Sequence, residues 1–256
     1  MPTNRTKRIL QDGGVALGVM IFEMATTGVG RMAAGAGADF VLLDMEHTGW
    51  SLDRVGPVLG SMRADDVTPL VRVPAILPHL IAGSLDAGAL GVMLPMVADE
   101  GQAAAAVRAA RFPPEGSRGY GLLYRDQAHP DGMGATTRSA NDETMVIVQI
   151  ETVDALDRVE AIARTPGVDV VWIGQYDLSA SMGIPGDFDH ERMRDADERV
   201  VAACRDHGRA AGMLASDPAH AGSLVERGFR CVAVTSDLQL FDGGLSRALE
   251  AARRAR

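Results

Sequence analysis

Lysine is almost missing from this sequence. Of 25 basic residues in a chain of 256, only Lys7 is a lysine, and the rest are arginines. A guanidinium does not form a Schiff base with a carbonyl substrate, whereas a desolvated lysine amine does. Lysine-based imine chemistry and a pyridoxal-phosphate anchor are therefore disfavoured. Positive charge is also in deficit. The net charge of -9 argues against a nucleic-acid or anionic-membrane binder, which needs a basic face. No apolar run approaches the ~18 residues of a transmembrane span. The opening MPTNRTKRIL has neither the apolar core nor the small-residue cleavage site of a signal peptide. The two cysteines, Cys204 and Cys231, make no metal or redox spacing. That fits a reducing compartment, and a cytoplasmic location is expected. A Gly-x-Ser-x-Gly nucleophile elbow is absent.

What is present suffices for one large core. Hydrophobic residues make up 46% of the chain, and α/β barrels of about 250 residues are routinely single units. Short, near-continuous apolar runs lie at 15–20, 39–44, 69–73, 91–95, 145–150, 169–173, 210–214 and 231–235. Such runs suit parallel strands covered on both faces. Helix signals stand between them. Ser51 can cap a helix through Arg63 that places Leu52, Val55, Leu59 and Met62 on one face. Residues 190–207 put Met193, Val200, Val201 and Cys204 at helical spacing, so Cys204 reads as core rather than nucleophile. Asp217-Pro218 opens a helix that Gly228 closes, and 240–254 reads as a final helix. Eight strands, each followed by a helix, predict one (β/α)8 TIM barrel over 1–256, with an N-terminal helical segment at 1–14. Residues 112–144, rich in turn formers, read as a long loop region at the active site or on the surface.

In such a barrel chemistry gathers at the C-terminal ends of the strands. Those ends carry Asp44, Glu46 and His47 after strand 2, Arg72 on strand 3, Gln149 and Glu151 on strand 5, and Gly174-Gln175-Tyr176-Asp177 after strand 6. Taken singly, each has a plain structural use. Arg72 can be a buried ion pair, Asp177 a cap, Glu151 a first-turn acid and His47 a satisfied loop histidine. Taken together they ring one mouth where a packed barrel otherwise wants apolar side chains. Two carboxylates from adjacent strands suit an oxygen-preferring divalent cation. A 2-oxo acid can complete its shell, a guanidinium can share the charge of the resulting enolate, and a histidine can move protons near neutral pH.

The segments LLDMEHTGWS, VRVPA, LDAGALGVMLPMV, RFPPEGSRGYG, VQIET and WIGQYDLSASMG occur in that order. Together they resemble the HpcH/HpaI family of metal-dependent class II pyruvate aldolases along nearly the whole chain. The resemblance implies reversible cleavage of a 4-hydroxy-2-oxo acid to pyruvate or hydroxypyruvate plus an aldehyde, through an enolate. It implies that Glu151 and Asp177 hold the metal, Mg²⁺ or Mn²⁺ in the first place, with Co²⁺ or Zn²⁺ as alternatives. Arg72 corresponds to the arginine that stabilises the enolate, and Gln149 to a glutamine beside the bound oxo acid. His47, paired with Asp44, corresponds to the acid–base dyad, and Asp86 to an acid that reaches a neighbouring subunit's site. Backbone amides at Tyr176 and Asp177 would hold the substrate carboxylate, and Leu214 would line the acceptor side. Assembly as a homo-oligomer, a trimer or hexamer with the C-terminal helix exchanged between subunits, is implied as well.

The sequence also departs from that pattern. Gln175-Tyr176 replaces a small Pro-Ala pair of some relatives, and GLLYRDQAHPDGM matches no substrate class. Gly35 and Gly37 in AAGAGAD precede strand 2 and read as a helix-to-strand turn. The turns after strands 7 and 8, ASDP and TSDLQ, lack a glycine-rich phosphate cradle. Two rivals to the aldolase are a citrate-lyase-β-like acyl-CoA lyase or hydrolase and a noncatalytic oxo-acid-binding protein. The Asp44–His47 pair favours the aldolase over the first. The complete set of metal carboxylates, arginine and dyad disfavours the second.

Overall fold

The computed structural model describes residues 3–63, 65–120 and 132–254. Its strands are β1 (Ala16–Ile21), β2 (Phe40–Asp44), β3 (Thr68–Arg72), β4 (Gly91–Leu94), β5 (Met145–Ile150), β6 (Val170–Ile173), β7 (Ala210–Leu214) and β8 (Cys231–Ser236). Each lies within one residue of the apolar run that predicted it, at both ends. They pair in parallel in chain order, and β8 closes on β1, which makes the expected (β/α)8 barrel. The helices are α1 (Arg5–Gln11), α2 (Val29–Gly35), α3 (Leu52–Met62), α4 (Pro78–Ala87), α5 (Glu100–Ala110) and α6 (Met133–Glu143). They continue with α7 (Val153–Asp157), α8 (Val159–Arg164), α9 (Gln175–Ser181), α10 (Glu191–Asp206), α11 (Pro218–Glu226) and α12 (Asp237–Arg254).

Side chains alternate along a strand, so each apolar run feeds two cores. Phe40, Leu42, Leu70, Met93, Ile147 and Trp172 point inward and fill the barrel. Val41, Leu43, Val71, Val92, Val148 and Ile173 point outward and pack beneath the helices. The filling needs small residues beside large ones. A methyl on Gly212 would stand 2.4 Å from the Trp172 ring, so the glycine makes room for the indole. At the N-terminal end, α1 closes the barrel with Leu10. Lys7 is buried there, and its Nζ donates to the Thr144 carbonyl at 2.7 Å and lies 3.4 Å from Asp169. The chain's lone lysine is thus at the opposite end from the catalytic mouth of such barrels.

Val55, Leu59 and Met62 of α3 are buried as their spacing predicts, but Ser51 caps by position alone, without a side-chain hydrogen bond. Asp217 does cap α11, accepting from the His220 amide at 2.8 Å, and Gly228 ends it at φ +100°. Cys204 and Cys231 are free and buried, and burial pushes both thiols up to about 12. Gly37 makes the turn into β2 at φ +86°.

The region 112–144 is a correction: its last third is α6, not loop. Its sequence, MGATTRSANDE, is mostly small and polar, and the residues it buries are Thr136, Thr137, Ala140 and Asn141. What holds it is tertiary: Asn141 accepts from the Phe112 amide at 2.8 Å and donates to the Phe112 carbonyl at 3.0 Å. Of the GLLYRDQAHPDGM stretch, residues 121–131 lie outside the described residues. Among the described residues, no helix is long and apolar enough to cross a membrane.

Candidate active site

The inward alternation that fills the barrel runs on to its C-terminal mouth and changes chemistry there. Two residues beyond Leu42 comes Asp44, beyond Leu70 comes Arg72, and beyond Ile147 comes Gln149. The β2–β3 register sets Asp44 directly beside Arg72. Asp44 is fully buried, and it accepts from Arg72 Nε at 2.7 Å and from the amides of Glu46 and His47 at 3.0 and 3.1 Å. One carboxylate therefore both grips the guanidinium and shapes the turn that follows β2. Glu46 Oε2 lies 3.2 Å from Arg72 Nη1 and 3.6 Å from His47 Nε2, with no well-aligned hydrogen bond to either. Burial alone would weaken the Arg72 cation. The hydrogen bond and charge of Asp44, with Glu46 and Glu151 behind it, outweigh that and raise its pKa.

This arrangement corrects the expected side-chain pairing of Asp44 with His47. Asp44 spends its oxygens on the nearer buried cation and on backbone amides, while the exposed His47 ring lies beside Glu46. Asp86, expected at a neighbouring subunit's site, does not line this chain's own cavity. It sits on α4 and forms an ion pair with Arg118 Nη2 at 2.6 Å.

The second half of the site centres on Glu151. This buried carboxylate accepts from the Met96 amide at 2.6 Å and from Gln149 Nε2 at 3.2 Å. Met96 reaches it from a left-handed backbone, φ +53°, just beyond β4. Burial pushes the Glu151 carboxyl up to about 7; the Met96 amide opposes this, and the charges of Glu46 and Asp177 add to it. Gln149 is buried, and its Oε1 has no hydrogen-bond partner among the described residues. Gln175 ties α9 to β7 by donating to the Leu214 carbonyl at 2.8 Å. Tyr176 stands edge-on to Phe188, with ring centres 5.0 Å apart.

His47, Arg72, Gln149, Glu151, Asp177 and Leu214 all line one cavity of about 240 Å³. The structure thus brings together most of the residues the sequence singled out. It adds Glu46, Met96 and Phe22. Glu46 was visible as a strand-end acid, but the Met96 contribution is a backbone amide and left no side-chain signal. Glu151 and Asp177 fit a divalent cation. They are two oxygen donors on one cavity, Glu151 buried and Asp177 exposed at the start of α9, and the Asp177 charge helps to raise the Glu151 carboxyl; the unsatisfied Gln149 oxygen is close by. Among the described residues no cluster of three or more His, Cys, Asp or Glu side chains forms a closed metal cage. An open site with few protein ligands suits Mg²⁺-like ions, which keep exchangeable positions.

Comparison with known proteins extends this geometry. The family model described as HpcH/HpaI aldolase/citrate lyase matches residues 20–242. A pyruvate aldolase from Rhizobium etli is 37% identical, with 98% of each chain covered. A hydroxypyruvate/pyruvate aldolase from Roseovarius nubinhibens is 35% identical over 93% of this chain and 92% of its own. Among solved structures, an HpcH/HpaI aldolase from Desulfitobacterium hafniense superposes with a TM-score of 0.91, at 29% identity and 96% coverage of both chains.

Proposed function

The chain belongs to the HpcH/HpaI aldolase/citrate lyase family, and from that premise we propose how its mouth works as a class II aldolase. The enzyme is a carbon–carbon lyase that reversibly cleaves a 4-hydroxy-2-oxo acid to pyruvate or hydroxypyruvate plus an aldehyde. The observation that carries the mechanism is Arg72, clamped by Asp44 and Glu46 in the same cavity as Glu151. Glu151 and Asp177 would hold a divalent cation, Mg²⁺ or Mn²⁺ in the first place, which when bound supplies Lewis acidity toward the oxo acid.

The protein's own groups do the rest. In the cleavage direction His47 takes the proton of the C4 hydroxyl, the C3–C4 bond breaks, and its electron pair passes to C3 and the C2 oxygen. Arg72 is aimed at that developing negative charge. Its guanidinium is held in advance by two carboxylates, so little reorganisation accompanies the charge transfer. Gln149 flanks the oxo acid. C3 then takes a proton from water, His47 gives its own proton back to solvent, and the products are pyruvate or hydroxypyruvate and the aldehyde, which leaves past Leu214. Glu46 Oε2 lies 3.6 Å from the imidazole Nε2 and flanks the ring on that side.

We further place the enzyme in the cytoplasm, in keeping with two buried free thiols, and as a trimer or hexamer. In that assembly Asp86 serves a neighbouring subunit's site, and α12 is exchanged between subunits.

The test is deuterium exchange into the pyruvate methyl group, followed by proton NMR. Chelator-treated enzyme should be inert, and Mg²⁺ or Mn²⁺ should restore exchange. Arg72→Ala should slow the restored exchange by at least roughly 100-fold, as removal of an oxyanion donor does. Undiminished exchange in that variant would remove Arg72 from its role.

A further inference from the structure

The two ends of the mouth differ in kind. Arg72, Gln149, Glu151 and Asp177 come from the arc β3 to β6, and the oxo acid belongs there. The closed strand order places β7, β8 and β1 opposite. From that arc Met20, Phe22 and Leu214 face the same cavity, with Trp172 in its lining and Tyr176 at its rim. Phe22 is held firmly. The Asp237 carboxylate accepts from the amides of Phe22, Glu23 and Met24 at 2.9, 2.8 and 2.7 Å, which fixes the turn that carries the ring. The polar groups nearest this arc are occupied: Asp237 by those amides, Ser236 by Gln239, and Gln175 by the Leu214 carbonyl.

Charge points the same way. Arg72 is the one arginine or lysine among the described residues lining the cavity, and Asp44 and Glu46 already engage it. Among the described residues no second arginine or lysine lines the cavity, so a second anionic group on the acceptor would be desolvated against an apolar wall. A hydrocarbon body would instead be desolvated against Phe22, Met20 and Leu214.

We propose that the acceptor is a neutral aldehyde with an apolar aliphatic or aromatic body, without carboxylate, phosphate or sulfonate. Phe22 and Leu214 set that preference. The inference rests on the aldolase reading and names the substrate class of its second half.

The test is the rate of aldol addition to pyruvate, with Mg²⁺ or Mn²⁺ present, for butanal and for succinic semialdehyde. These share a four-carbon chain and differ in the terminal carboxylate. Methyl exchange of pyruvate is measured alongside without aldehyde. The expected result is exchange together with a kcat/KM for butanal at least about tenfold higher, the scale on which a pocket separates such side chains. Phe22→Arg, or Leu214→Arg on the other side should the first fail to fold, should shrink or invert the ratio by at least about tenfold. Exchange with equal or better use of succinic semialdehyde by the wild type overturns the acceptor assignment alone. So does a ratio unmoved in a folded variant. Absence of exchange overturns the aldolase reading and this inference with it.

Discussion

Gly174 has φ -87°, a backbone conformation open to any residue. A methyl built on it would nevertheless stand 2.5 Å from both Cγ and Oε1 of Glu151. The glycine is there for the carboxylate's space rather than for its own flexibility. Gly174→Ala should push Glu151 off its Met96 and Gln149 contacts. Aldol cleavage should fall on the order of 100-fold, the usual consequence of about an ångström of misplacement, and Mn²⁺ affinity by calorimetry should fall with it. Overpacking should lower stability by only about 1–3 kcal/mol, so the folded variant can be assayed. Wild-type metal affinity in that variant would show that Glu151 has slack the structure does not suggest. At this scale the sequence was readable where a side chain faces the cavity, as with Arg72, Glu151 and Asp177. It was silent where the contribution is a missing Cβ or a backbone amide, as with Gly174 and Met96. It also misassigned a partner: Asp44 and His47 are close in sequence, but burial beside Arg72 decides which group the carboxylate serves.

Strands were the most legible elements, because alternation of inward and outward apolar residues is a property of the run itself. α6 was not legible, because its hold on the barrel is the Asn141–Phe112 backbone pair rather than an apolar stripe. A similar polar tie joins α10 to the end of α11, and it has a pH signature. Asp197 pairs with Arg227, but its Oδ1 is buried without a hydrogen bond among the described residues. Burial pushes the Asp197 carboxyl from 3.8 up to about 6, against the opposing charge and hydrogen bond of Arg227. The folded state therefore holds this proton more tightly than the unfolded chain. Its contribution is fully present below pH 3.8 and is lost as pH rises through about 6. Denaturant titrations of wild type and Asp197→Asn across that window should diverge by up to about 3 kcal/mol, the wild type losing ground as pH rises. A difference between the two that does not change with pH would mean that Arg227 fully compensates the buried charge.

On the scale of the whole molecule, α12 is the element whose sequence and surroundings disagree. Seventeen of its eighteen residues are not buried; only Asp237 is. Yet Leu238, Leu240, Phe241, Leu245 and Leu249 are all large, apolar and 44–58% exposed. Beside its root, Leu17, Met24 and Met32 on the barrel border an open groove of about 640 Å³. A helix with an uncovered apolar stripe and a barrel with an uncovered seam are complementary, and two or more chains can satisfy both at once. Burying five such side chains that are now about half exposed is worth on the order of 5 kcal/mol per helix. Exchange of α12 between subunits thus predicts a wild-type oligomer in sedimentation equilibrium. It also predicts that Leu245→Arg with Leu249→Arg yields a folded monomer, since neither side chain supports its own barrel. A monomeric wild type would mean that the stripe folds back on its own seam. An oligomer that survives both arginines would place the interface elsewhere. Because Asp86 is assigned to a neighbour's site, the monomeric variant should also lose aldol cleavage. Retention of full activity by that monomer would show each barrel to be a complete catalyst, with Asp86 merely the partner of Arg118.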